Sequence, residues 1–107
     1  MEWRVEVLND MVRSELDAFP LEIRARLIRL ECLISQVGLE SLREPYVKHL
    51  EGKLWEMRAT GRDGIARAIY VTAIGRRVVI VRAFIKKTRQ TPRSEIDLAL
   101  RRAKEVL

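Results

Sequence analysis

Four cationic side chains close an apolar run late in the chain: in "VVIVRAFIKKTRQTPR" they are Lys86, Lys87, Arg89 and Arg93. They adjoin the start of a helical pattern, where free N–H groups and the helix dipole favour anions. Cations at that end work against the helix by roughly a few tenths of a kcal/mol each. The placement therefore serves something other than folding, and the chemistry it suits is phosphate binding.

Arg67 sits inside a strand pattern, in step with Ile65, Ile69 and Val71 and flanked by Ala66 and Ala68. A guanidinium among apolar residues needs a partner or an anion, because a buried unpaired charge costs several kcal/mol. Two readings stay open: an anion site, or an ion pair with Glu56 on the neighbouring strand. Arg58 lies just before the intervening turn and can stand beside Arg67. His49 has the side chain suited to proton transfer near neutrality, and it falls in a loop pattern, "YVKHLEG". Tyr46 and Tyr70 read as packing residues. Glu56, Asp63, Glu95 and Asp97 are scattered and read as solvated. There is no phosphate-binding glycine loop, dinucleotide turn, metal-ligand cluster or nucleophile elbow.

The elements that must position these groups follow from periodicity. Residues 2–8 alternate, with Trp3, Val5 and Val7 on one face of a strand. A short helix is expected from Asn9 or Asp10 to about Phe19. In "PLEIRARLIRLECLISQVG", Ile23, Leu27, Leu30, Ile34 and Val37 form one helical stripe, opened by Pro20 and ended by Gly38. A loop is expected from "LESLREPYVKHLEGK", then three strands at 53–59, 65–73 and 77–85 in an antiparallel meander. The last of these, nearly continuous in β-branched residues, reads as covered on both faces. A final helix has Thr91 as N-cap, Pro92 at its first position and Ile96, Leu100, Ala103 and Leu107 as its packing stripe.

The whole, residues 1–107, reads as one α+β domain. Its sheet is of antiparallel type with about four strands, N-terminal helices on one side and a C-terminal helix. A net charge of +6 and a pI near 10.1 attract polyanions. No apolar run approaches the ~20 residues that cross a bilayer, and the first ten residues lack the layout of a signal peptide. A cytoplasmic protein without a membrane contact is expected. The lone Cys32 makes no internal disulfide and reads as a buried, inert thiol.

The order of elements resembles the RelE/ParE superfamily of bacterial toxins, most closely its HigB-type and phage-derived branch. The phrase F-x-K-K-[ST]-x-[KQ]-T-P-x-x-E-I before a helix is typical of that branch. Here it is carried by Phe84, Lys86, Lys87, Thr88, Gln90, Thr91, Pro92, Glu95 and Ile96. The resemblance implies a ribosome-dependent endoribonuclease that cuts mRNA in the A site, against 16S rRNA, by 2′-OH attack and without a metal or cofactor. It implies a cognate antitoxin, a helix-turn-helix DNA-binding protein. Carried over by position, it makes Arg67 and Lys87 the phosphate and transition-state contacts, with Arg58 assisting and His49 as acid or base. Lys86, Arg89, Lys53, Arg93 and Tyr70 would bind RNA or phosphate. The chain departs from the pattern at Glu56, where RelE has a lysine, and "KKTRQTPRS" holds no tyrosine, histidine or aspartate. A gyrase-inhibiting toxin of the same fold and a non-catalytic RNA- or antitoxin-binding relative are the other readings.

Overall fold

A computed structural model describes residues 2–106. Strand β1 (Arg4–Val7) leads to helices α1 (Asp10–Asp17) and α2 (Leu21–Val37), then a single 3-10 turn at Leu39–Ser41. Strands β2 (Val47–Glu51), β3 (Leu54–Gly61), β4 (Gly64–Ala73) and β5 (Arg77–Lys86) follow, and helix α3 (Arg93–Ala103) closes the chain. Asn9 caps α1 by accepting the Val12 N–H at 3.0 Å. Gly38, at φ 94°, ends α2 in a backbone conformation that side-chain-bearing residues avoid.

The five strands lie in the order β1-β5-β4-β3-β2. The expected meander is β3-β4-β5, antiparallel throughout. Two features differ from the expectation. β1 runs parallel to β5, with Arg4 opposite Arg77 and Val7 opposite Ile80, because the helical pair returns the chain to the end of the sheet where β1 finished and the three reversals from β2 to β5 then restore the direction of β1. The segment expected as a loop contains β2, which pairs antiparallel with β3 and places His49 in a strand, opposite Trp55.

Both faces of the sheet are covered. The stripe Ile23, Leu27, Leu30 and Ile34 packs with Val12 and Leu16 onto Met57, Ala66, Ala68 and Ile80. Ile23 comes so close to the β3–β4 hairpin that a Cβ on Gly61 would stand 2.5 Å from its side chain. Val37 does not join the stripe: α2 has passed the sheet there, and the residue is 57% exposed. On the other face Ala99 and Ala103 of α3 seal Leu54, Ile69, Val71 and Val81. Leu107, expected in that stripe, lies outside the described residues. Cys32 is exposed rather than buried, since it lies on the side of α2 turned away from the stripe.

Beyond Ile80, β5 has no strand beside it on the β1 side, and side chains take over its backbone groups. The Ala83 N–H donates to Glu15 Oε1 at 3.0 Å, and Arg102 Nη1 donates to the Val81 carbonyl at 2.9 Å. Glu15 also pairs with Arg82 at 2.9 Å and with Arg102 at 3.0 Å. One carboxylate of α1 thereby joins β5 to α3.

Candidate functional site

Arg58, Arg67 and Phe84 stand opposite one another across β3, β4 and β5. Period-two alternation puts them on the α3 face of the sheet, together with Glu56. Glu56 and Arg67 are both fully buried. Like charges directly opposite on paired strands destabilise the sheet, and the Glu56 carboxylate offsets this one. Its Oε1 accepts from Arg58 Nε at 2.5 Å and lies 3.8 Å from Arg67 Nε. Its Oε2 accepts the Thr91 hydroxyl at 2.7 Å. Burial lowers the Arg67 pKa first, with Arg58 acting in the same sense and Glu56 opposing both.

Arg67 Nε is buried without a hydrogen bond, while both Nη groups of Arg67 and one of Arg58 reach the loop between β5 and α3. Arg67 Nη1 reaches the Lys86 carbonyl at 3.4 Å and its Nη2 bonds the Thr88 carbonyl. Arg58 Nη2 donates to the Arg89 carbonyl at 2.6 Å. Both arginines therefore grip the inner, carbonyl side of residues 86–89. Thr91, expected to cap α3, instead donates its hydroxyl to Glu56. Pro92 takes the capping position and the helix begins at Arg93.

On the outer side of the loop Lys86, Lys87 and Arg89 are exposed. Their side chains have no hydrogen bond or ion pair with a described residue. The result is a fixed loop presenting three unneutralised cations, anchored from below by a buried carboxylate and two arginines. Arg82, also within an apolar run, supports the same region. It forks onto Glu95 at 2.7 and 3.1 Å and lies 5.6 Å from the Phe84 ring centroid. An arginine interrupting "VVIVRAFI" was the sequence signal for it.

Of the other expected site residues, Arg93 adjoins the loop beside Thr88 and Thr91, and the rest stand elsewhere. His49 is three residues out of phase with Arg58 through its partner Trp55, so it projects from the opposite face. There its Nε2 donates to the Gly52 carbonyl at 2.7 Å, and its ring lies 4.9 Å from that of Trp55. Tyr70 is buried on that same face, beside a cavity of about 300 Å³ lined by Trp3, Leu42, Val47 and Trp55. Burial pushes its phenol pKa up. Arg93 is engaged by two carboxylates, Glu51 at 2.5 Å and Asp97 at 2.9 Å, and their hydrogen bonds raise its pKa. Lys53 flanks a groove with Leu100 and Lys104 near the far end of α3.

This mixed sheet, with paired helices on one face and a C-terminal helix on the other, has a counterpart among solved structures. The archaeal RelE in a RelE–RelB complex from Pyrococcus horikoshii OT3 is similar to this chain, with a TM-score of 0.60. The match has 23% identity and covers 84% of this chain and 100% of that one. Residues 14–104 match the family described as "Phage derived protein Gp49-like (DUF891)", and the chain belongs to that family. The resemblance to the phage-derived branch, read from the basic phrase before α3, is borne out by the family match, and the RelE-like fold by the structural one. No curated protein sequence matches the chain. Among the described residues no helix is long and apolar enough to cross a membrane.

Proposed function

We propose that the protein is the toxin of a toxin–antitoxin pair and cuts messenger RNA on the ribosome, in the cytoplasm. The ribose 2′-OH attacks the adjacent phosphorus and the bond to the 5′ oxygen breaks, leaving a cyclic phosphate. Negative charge grows on the non-bridging oxygens of the phosphorane, and preorganised cations lower that barrier because they need no reorganisation during reaction. The observation that carries the reading is the outer side of the loop, where the side chains of Lys86, Lys87 and Arg89 have no hydrogen bond or ion pair with a described residue while its carbonyls are clamped. In this reading Lys87 and Lys86 contact the phosphate. Arg67 and Arg58 act through the loop, as positioning residues. His49, Tyr70, Lys53 and Arg93 take no part in it.

The neutralising partner is a co-encoded antitoxin of helix-turn-helix type. The archaeal relative's occurrence in a complex with RelB supports an antitoxin partner of some kind. The net charge of +6 supports a polyanionic target. Induction in growing cells, followed by primer extension on abundant messages, tests the reading. Cuts phased with codons are expected, and they should disappear in a folded Lys86→Ala/Lys87→Ala variant. Growth arrest with DNA breaks and intact messages would overturn it in favour of a gyrase inhibitor.

A further inference from the structure

Beside the loop lies a second cationic feature that the proposed reaction does not use. The β2 ladder runs along β3 only as far as Val47 opposite Met57. One more bond, from the Arg58 N–H to the Tyr46 carbonyl at 2.8 Å, holds Tyr46 alongside Arg58. Past that point the margin of β3 is uncovered by a strand, and a cavity of about 430 Å³ opens between it and α2. Arg26, Arg29, Tyr46, Arg58 and Thr60 supply its polar lining, and no acidic residue lines it.

Two of its three arginines are held in place. Arg26 pairs with Glu22 at 3.1 Å and bonds the Thr60 carbonyl, while Arg58 is fixed by Glu56 and the Arg89 carbonyl. Arg29 is exposed and has no hydrogen bond or ion pair with a described residue. The Tyr46 side chain is 54% exposed, and no aromatic ring of a described residue packs against it. An open aromatic face beside an uncommitted guanidinium is what a base and its phosphate require, since stacking is available to every base and Arg matches phosphate geometry. Arg58 belongs both to this cavity and to the clamp under the loop, so one strand can follow both.

We propose that this cavity is a nucleotide subsite for single-stranded RNA, in which a base stacks on Tyr46 and the adjoining phosphate meets Arg29. The subsite rests on the RNA reading above and places a neighbouring nucleotide of the same strand beside the Lys86–Arg89 loop.

The test uses a message oligonucleotide carrying a 2′-deoxy residue at the mapped cut, so that it binds without being cleaved. Its affinity is measured free in solution and on programmed ribosomes. Tyr46→Ala should weaken binding about tenfold, within the range for loss of one stacked base, while Tyr46→Phe keeps wild-type affinity. Arg29→Ala should weaken it and lower the salt slope by about one. Loss of binding in Lys86→Ala/Lys87→Ala with no change in either cavity variant would overturn the subsite and leave the RNA reading standing. Unchanged RNA affinity with weakened antitoxin binding would assign the cavity to the protein partner instead. Absence of wild-type binding in both formats would sink the two readings together.

Discussion

Thr91 donates its hydroxyl to Glu56 Oε2 across 2.7 Å, although 35 residues of chain separate them. The same carboxylate takes Arg58 on its other oxygen. A strand residue thus fixes where the basic loop ends and α3 begins.

Removing that carboxylate leaves Arg58 and Arg67 opposite each other with no counter-charge. Breaking one partner of a buried ion pair costs about 3–5 kcal/mol. Glu56→Ala should lose stability on that scale, read from the urea midpoint at constant m. Replacing Glu56 and Arg67 together by leucine and methionine should cost less than the sum of the single changes. Additive losses would show that the two residues do not compensate one another.

Thr91→Val keeps the shape and deletes the donor. A hydrogen bond to a charged group contributes about 1.5–3 kcal/mol, so a loss in that range is expected. Amide exchange over residues 86–91 should quicken while that of α2 holds. Uniform quickening across the chain would place the effect in global stability rather than in the loop.

Lys87 is exposed and its side chain has no hydrogen bond or ion pair with a described residue, so Lys87→Ala should leave stability within about 0.5 kcal/mol. Loss of one transition-state donor costs about 10²–10³ in kcat, so message cleavage should fall on that scale. Arg67→Lys behaves differently: a single ammonium lacks the planar fork whose two ends reach the Lys86 and Thr88 carbonyls, so both cleavage and stability should drop. Equal cleavage by wild type and Lys87→Ala would remove Lys87 from the reaction.

Two glutamates set opposing pH dependences. Glu51 is held below the ordinary value of 4.5, chiefly by its hydrogen bond to Arg93. The stability it adds is present above 4.5 and is lost as pH falls through its folded value. Arg93→Ala should therefore flatten that part of the acid limb. Glu31 is pushed above 4.5 by burial, with Arg13 opposing. It costs stability at neutral pH, and the cost disappears as pH falls through its folded value. Glu31→Gln should accordingly stabilise at pH 7 and match wild type below 4.5. A Glu31→Gln gain that persisted in acid would point to packing rather than charge.

Much of the architecture was legible because long elements carry strong periods. The four-residue and three-residue steps from Ile23 to Ile34 predict α2 and its buried face, and the apolar run before Phe84 predicts an interior strand. β2 escaped because five residues with only Val47 and Leu50 apolar show no clear alternation. That miss also hid the face of His49, which depends on its register with Trp55. The outward side of α2 was hard to foresee since Leu21, Ala25, Ile28 and Cys32 are spaced like a second apolar stripe. At the site, the types of the residues were readable and their partners were not. No spacing rule tells that Arg67 addresses carbonyls of residues 86 and 88, or that Thr91 prefers a distant carboxylate to its own helix.

Glu15 occupies the margin of β5 where another strand could otherwise lie, accepting the Ala83 N–H as a ladder partner would. With Arg102 on the Val81 carbonyl, two backbone groups of this margin are already taken by side chains. A guest strand pairing with β5 beyond the four residues of β1 would first have to displace Glu15 and Arg102. On the β2 flank the Val47 N–H is taken by the Arg43 carbonyl at 3.3 Å.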